Sequence, residues 1–196
     1  MRRAIPTALF RLNGNGKRLS SIVVDKKVVF YQATGYNYIC VTKTPAPCYD
    51  GKRKIDGAAK ELEVPKDLWM LYVLLFCGKI TLSRWLTYGD DFHVTLKPFM
   101  DSRVNFEVMS KSDMKTIEEL YVEFEQRLPK TLQFKLNCGK QIGTYNISKL
   151  WDITDRSDAI FLKYLCDNPV EAQEAIEDHV SSCVISGRKD GVDAES

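Results

Sequence analysis

Leu68 to Cys77, LWMLYVLLFC, is an unbroken apolar run of ten residues between Asp67 and Lys79. A helix that is apolar on every side has to be enclosed by other elements. The run is well short of the roughly 20 residues needed to cross a bilayer. It therefore predicts a buried core helix, entered at Pro65, and no transmembrane segment. Whatever surrounds it must come from the rest of a 196-residue chain, a length that suits one core better than two.

The first sixty residues supply β structure. TALFRLN, a hairpin SSIVVDKKVVFYQ about Asp25-Lys26-Lys27, and YNYICVTK are rich in β-branched and aromatic residues, with Asn13-Gly14 and Asn15-Gly16 as turn formers. They predict an antiparallel meander. Residues 44–57 read as a loop from their Pro and Gly, and AAKELEV reads as helix, like the apolar run after it. DFHVTLKPF and VNFEVMS alternate around MDSR and predict a second hairpin.

From Ser110 the apolar period becomes 3.6, through Met114, Ile117, Leu120, Tyr121, Phe124 and Leu128, with Ser110 and Asp113 as a start signal. TLQFKLN and QIGTYNI pair across Cys138-Gly139-Lys140. SKLWDI, SDAIFLKYLC and PVEAQEAIEDHVSSCV are helical. Strands alternating irregularly with helices predict an α+β fold rather than a doubly wound parallel sheet. The expectation is a single domain over 1–186, basic and β-rich over 1–57 and mixed or helical over 58–186, with 187–196 as a flexible tail.

Several short motifs invite a catalytic reading. Tyr88-Gly89-Asp90-Asp91 resembles the metal-binding hairpin of RNA-dependent polymerases. That chemistry needs two metal ions held by carboxylates from separate strands, and the spaced acids upstream, Asp56 and Glu61, leave no room for a palm-like nucleotide-selecting element. The tetrad is read as a turn into a strand over 92–97. Phe92-His93-Val94-Thr95-Leu96 places His93 and Thr95 on one face of that strand and resembles half of the His-x-Thr signature of the two-histidine phosphoesterases. The resemblance implies His93 and His179 as acid and base around a phosphodiester. The second half, His179-Val180-Ser181, continues the helical stripe of Ala172, Ala175, Ile176, Val180, Cys183 and Val184, so His179 is expected on a helix.

NGNGKRLSS lacks the first glycine of a phosphate-binding loop and is followed by a strand, which excludes nucleotide hydrolysis. Cysteines at 40, 48, 77, 138, 166 and 183 contain no Cys-x-x-Cys pair and indicate reduced thiols, in the cytoplasm or nucleus, with no metal or other cofactor. The basic opening, with no acid before Asp25, also has the composition of an organellar transit peptide, although TALFRL suits a first strand. No catalytic residue is assigned.

Charge is the most informative remaining feature. Residues 1–60 hold twelve Lys or Arg against Asp25, Asp50 and Asp56, a surplus of +9; with the whole chain at +2, the remainder carries −7. The basic third interleaves cations with aromatics: Arg2, Arg3, Arg11, Lys17, Arg18, Lys26, Lys27, Tyr31, Tyr36, Tyr38, Lys52, Arg53 and Lys54. Cations neutralise phosphates and aromatic faces stack on unpaired bases. The expectation is a non-enzymatic protein whose N-terminal sheet engages a polyanion, with single-stranded nucleic acid or RNA as the leading reading. The alternatives are a protein-protein interaction or self-assembly protein, such as a viral regulator or matrix subunit, whose basic and acidic surfaces pair between copies, and the two-histidine phosphoesterase; an anionic membrane surface ranks below them.

Overall fold

The fold is described from a computed structural model, over residues 25–34, 38–57, 59–89, 93–94, 96 and 106–189, with side chains at 107 and 184–189 excluded. The strands are β1 (Lys26–Gln32), β2 (Val41–Thr42), β3 (Cys48–Asp50), β4 (Arg53–Ile55), β5 (Ala59–Pro65), β6 (Leu132–Asn137) and β7 (Lys140–Tyr145). The helices are α1 (Trp69–Cys77), α2 (Lys79–Tyr88), α3 (Lys111–Arg127), α4 (Trp151–Leu165) and α5 (Pro169–Lys189), joined in places by short 3-10 turns.

Helix α1 is the axis of the fold, as its composition requires. Leu71 through Cys77 are all buried, enclosed by β1, β2 and β5 on one side and by α2, α3 and α4 on the others. No single described helix is long and apolar enough to cross a membrane; α1 and α2 qualify only as a pair bent by 58°. The bend falls at Gly78. A Cβ there would stand 2.3 Å from Asp158 Oδ1, so only glycine lets α4 close on the junction. Cys77 Sγ donates to the Val41 carbonyl and accepts from the Val41 N–H, both at 3.2 Å, fixing the end of α1 to β2.

The first sheet has the order β2-β1-β5, all antiparallel. From Ala59 on, AAKELEV is thus strand, not helix. Its Ala, Lys, Glu and Leu favour helix locally, but seven register pairs with β1 and the burial of Val64 against the core prevail. Nor is the N-terminal sheet a simple meander. After β2 the chain leaves it, and β3 and β4 join a second antiparallel sheet of order β4-β3-β7-β6. The stretch read as a loop over 44–57 therefore contains a hairpin. Gly51-Lys52 is its turn, with Gly51 at φ +58°, a conformation that glycine adopts without the Cβ penalty.

Gln32, at the end of β1, ties the two sheets together. Its Nε2 donates to the Gly143 carbonyl at 2.9 Å and its Oε1 accepts from Thr144 Oγ1 at 2.6 Å, both on β7. Gly143 packs so tightly against β3 that a Cβ would stand 2.1 Å from the Pro47 carbonyl oxygen.

The C-terminal half follows its pattern. Ser110 caps α3 by accepting the Asp113 N–H at 3.1 Å, and β6 and β7 pair across Cys138-Gly139, with Gly139 at φ +78°. SKLWDI and SDAIFLKYLC merge into a 3-10 turn and one helix, α4. Helix α5 reaches Lys189, so the expected tail is helical at its start and otherwise lies outside the described residues. Of the expected second hairpin, Phe106–Val108 forms a 3-10 turn instead of a strand, with Phe106 buried against Tyr72 and Phe161; His93 makes an isolated antiparallel bridge to Thr34.

Asp158 on α4 is buried where α2 begins. Its Oδ2 accepts the Ile80 N–H at 3.2 Å, while Oδ1 finds no partner. Burial pushes this carboxyl well above the usual carboxylate range, against the backbone bonds from Ile80 and Lys79 that favour the ion. A carboxyl raised in the folded state contributes most below its unfolded pKa, near 4, and loses that contribution as pH rises through the folded value. Asp158→Asn cannot ionise. Chemical denaturation across pH 4 to 8 should show the stability difference moving in favour of Asp158→Asn as pH rises, and a flat difference would contradict the assignment. Asp158→Ala, which strands the Ile80 N–H, should cost about 1–3 kcal/mol.

Candidate nucleic-acid interface

Of the thirteen residues expected at the interface, the seven that are described fall in separate places. Arg2, Arg3, Arg11, Lys17, Arg18 and Tyr36 lie outside the described residues. Tyr31 and Tyr38 pack against the core instead of presenting open ring faces. Burial raises the Tyr31 phenol, and the Tyr38 ring sits 5.0 Å from that of Trp151, with its backbone at φ +62°.

Lys26 and Lys27 open β1 and line a shallow groove with Lys66, Asp67, Trp69 and Met70. Their charges are largely used locally. Lys26 Nζ is 2.7 Å from Glu63, Lys66 Nζ is 3.9 Å from Asp25, and Lys27 Nζ lies 3.7 Å over the Trp69 ring. With Asp25, Glu63 and Asp67 close to three lysines, the groove has no cationic surplus.

Lys52, Arg53 and Lys54 stand apart from it, on the turn and edge strand of the second sheet. There the register adds two cations from the other end of the chain: Asp50 faces both Arg53 and Lys140, and Cys48 faces Ile142, which faces Lys135. The second sheet thus carries Lys52, Arg53, Lys54, Lys135 and Lys140 against Asp50, with Asp56 just beyond β4. All five cations are exposed. No ion pair with a described residue holds Lys52, Arg53, Lys54 or Lys140.

Cross-strand partners share a face and strand side chains alternate. One face of the sheet therefore carries Lys54, Tyr49, Gln141 and Leu136 in a row across all four strands. Phe134 follows two residues before Leu136 on the same face, opposite Gly143. The Tyr49 ring lies 5.8 Å from that of Phe134, tilted by 54°. Phe134 is 46% exposed and Leu136 77%.

The sequence reading missed Tyr49, Phe134, Leu136, Lys135, Lys140 and Gln141. A signal was present in GlnPheLysLeu at 133–136, a strand alternating polar and apolar with no spare helix to cover the apolar side.

Catalytic chemistry finds less support. His179 is on α5, 8% exposed, with Nδ1 3.0 Å from Ser83 Oγ of α2, so the second His-x-Ser copy is helical, as its periodicity implies. Thr95, Asp90 and Asp91 lie outside the described residues, and Tyr88 and Gly89 end α2. No group of three or more His, Cys, Asp or Glu suited to a metal occurs among the described residues. The six thiols are free, with Cys40, Cys48 and Cys77 buried. Comparison with protein-family models, curated proteins and solved structures finds no match to this chain.

Proposed function

We propose that this protein is a non-enzymatic nucleic-acid-binding protein that holds a phosphate backbone against its second sheet. The observation that carries the reading is the set of exposed cations on the second sheet, Lys54 on the face of Tyr49, Arg53, Lys135 and Lys140 on the other face by strand alternation, and Lys52 on the turn, with Lys52, Arg53, Lys54 and Lys140 free of ion pairs to described residues. Cations held apart from carboxylates keep their counterions only loosely, and a polyanion displaces those counterions with a gain in entropy. The proposed surface keeps Lys52, Arg53 and Lys54 of the N-terminal residues expected from composition and joins them to positions ninety residues away in sequence, Asp50 lying opposite Lys140.

The experiment is fluorescence polarisation of a labelled twelve-nucleotide oligo(U) across salt concentration. Contacts to Lys52, Arg53 and Lys54 along the β4 edge give a slope of about −2 in log K against log salt, hence roughly a 20-fold loss of affinity between 50 and 200 mM. Binding that ignores salt, or no binding at 50 mM, overturns the proposal.

A second reading has its own observation. Helix α3 exposes Glu118, Glu119 and Val122, and an acidic helix on one copy complements the basic sheet on another. Such an assembly shrinks on gel filtration as salt rises, whereas a monomeric binder keeps its elution volume.

A further inference from the structure

We infer that the Tyr49–Phe134 face of the second sheet stacks unpaired bases, so that the ligand class is single-stranded nucleic acid and not duplex. This rests on the nucleic-acid reading above and names what that surface recognises beyond charge.

Cations alone would bind any phosphate polymer, and a duplex offers them a denser row of charges than a single strand does. The second sheet adds what a duplex cannot use. Phe134 turns nearly half of its surface to solvent, Leu136 still more, and Tyr49 stands beside Phe134 with its ring tilted 54° to it. An exposed aromatic pair on the open face of a sheet is a surface of two flat, apolar ring faces, and each base of a single strand has a matching π-face to lay on them. Tyr49 is directly opposite Lys54 on one side and Gln141 on the other. Neighbouring strands are about 4.8 Å apart. A base on the rings therefore has a cation within reach for its phosphate and an amide for its edge. Lys52, on the adjoining turn, is a second exposed cation near the end of the row, while Arg53 alternates to the opposite face beside Asp50.

Charge complementarity selects this occupant from the others the face could take. An apolar partner surface laid on this face would leave Lys54 desolvated without counter-charge. An acidic peptide would satisfy the lysines but would leave the ring faces with nothing to stack on.

The test compares three probes on the full chain at about 0.1 M salt: oligo(U), a base-free inorganic polyphosphate, and a duplex of equal length. Phe134→Ala and Tyr49→Ala are each expected to weaken oligo(U) binding by about 5- to 150-fold, the range for one lost base–aromatic stack. Polyphosphate affinity should stay within about twofold, since no cation has been removed. Phe134→Trp should restore oligo(U) binding, and Phe134→Leu, which keeps apolar bulk without a ring, should not; that pair separates stacking from a fold defect. Unchanged oligo(U) affinity in both alanine variants, or equal losses for oligo(U) and polyphosphate, overturns base stacking and leaves the charge-based reading standing. Failure of the wild-type protein to bind either polyanion removes both. A poly-glutamate peptide whose binding falls on Phe134→Ala as oligo(U) binding does overturns the nucleic-acid ligand in favour of an acidic protein partner.

Discussion

Replacing Lys52, Arg53 and Lys54 together by glutamate is expected to weaken oligo(U) binding by at least about 100-fold at 0.1 M salt. Each phosphate contact on a single strand contributes about 0.7 of a log unit per decade of salt, so three contacts at that concentration account for roughly two log units, before repulsion from the new carboxylates is added. The fold should not suffer. The three residues occupy a turn and an edge strand, all are exposed or nearly so, and surface changes of this kind stay within about 0.5 kcal/mol each. The control is the groove at the start of β1. Lys66→Glu should change affinity less than about fivefold, because Lys66 already lies beside Asp25 and Asp67. A loss from Lys66→Glu as large as that from the triple variant would mean that the phosphate path is not confined to the second sheet.

Two phenylalanines should behave oppositely. Phe76 is fully buried in α1, with the Tyr72 ring 5.8 Å away. Phe76→Ala removes a large, fully buried side chain from the core and should destabilise the protein by about 3–5 kcal/mol, read as a lower urea midpoint at unchanged slope. Phe134→Ala removes the same atoms from an exposed position where the ring contact among the described residues is Tyr49. Its cost should stay below about 1.5 kcal/mol, the scale of one aromatic pair, while its effect on binding is large. Similar destabilisation by both would show that Phe134 belongs to the core and is not held for a ligand.

The contrast also shows how far residue patterns carry. The apolar run at 68–77 announced α1 because only enclosure tolerates such a helix, and Ser110 with the 3.6 stripe after it announced α3. The β6–β7 hairpin was legible from its alternation and turn. What local patterns missed were decisions made by distant pairing. Ala59–Pro65 is helix-prone in isolation, yet β1 offers it a full ladder. The Cys48–Asp50 strand sits in a segment rich in turn formers, and its pairing with β7 supplies the hydrogen bonds that its own residues do not signal. The same long-range pairing decides the site. Counting charge by sequence thirds assigned Lys135 and Lys140 to the acidic remainder, and counted Lys26 and Lys27 as available although Glu63 and Trp69 engage them. A cationic surface is a property of register, and one-dimensional charge counts see it only where the neighbours in space are also neighbours in sequence.

The central claim is a location, and chemical-shift mapping tests it most directly. Titrating oligo(U) into isotopically labelled protein is predicted to shift the backbone amides of Tyr49, Lys52, Arg53, Lys54, Phe134, Lys135, Leu136, Lys140 and Gln141. Shifts confined to β1, β5 and the Trp69 groove, or to the helices, would contradict it.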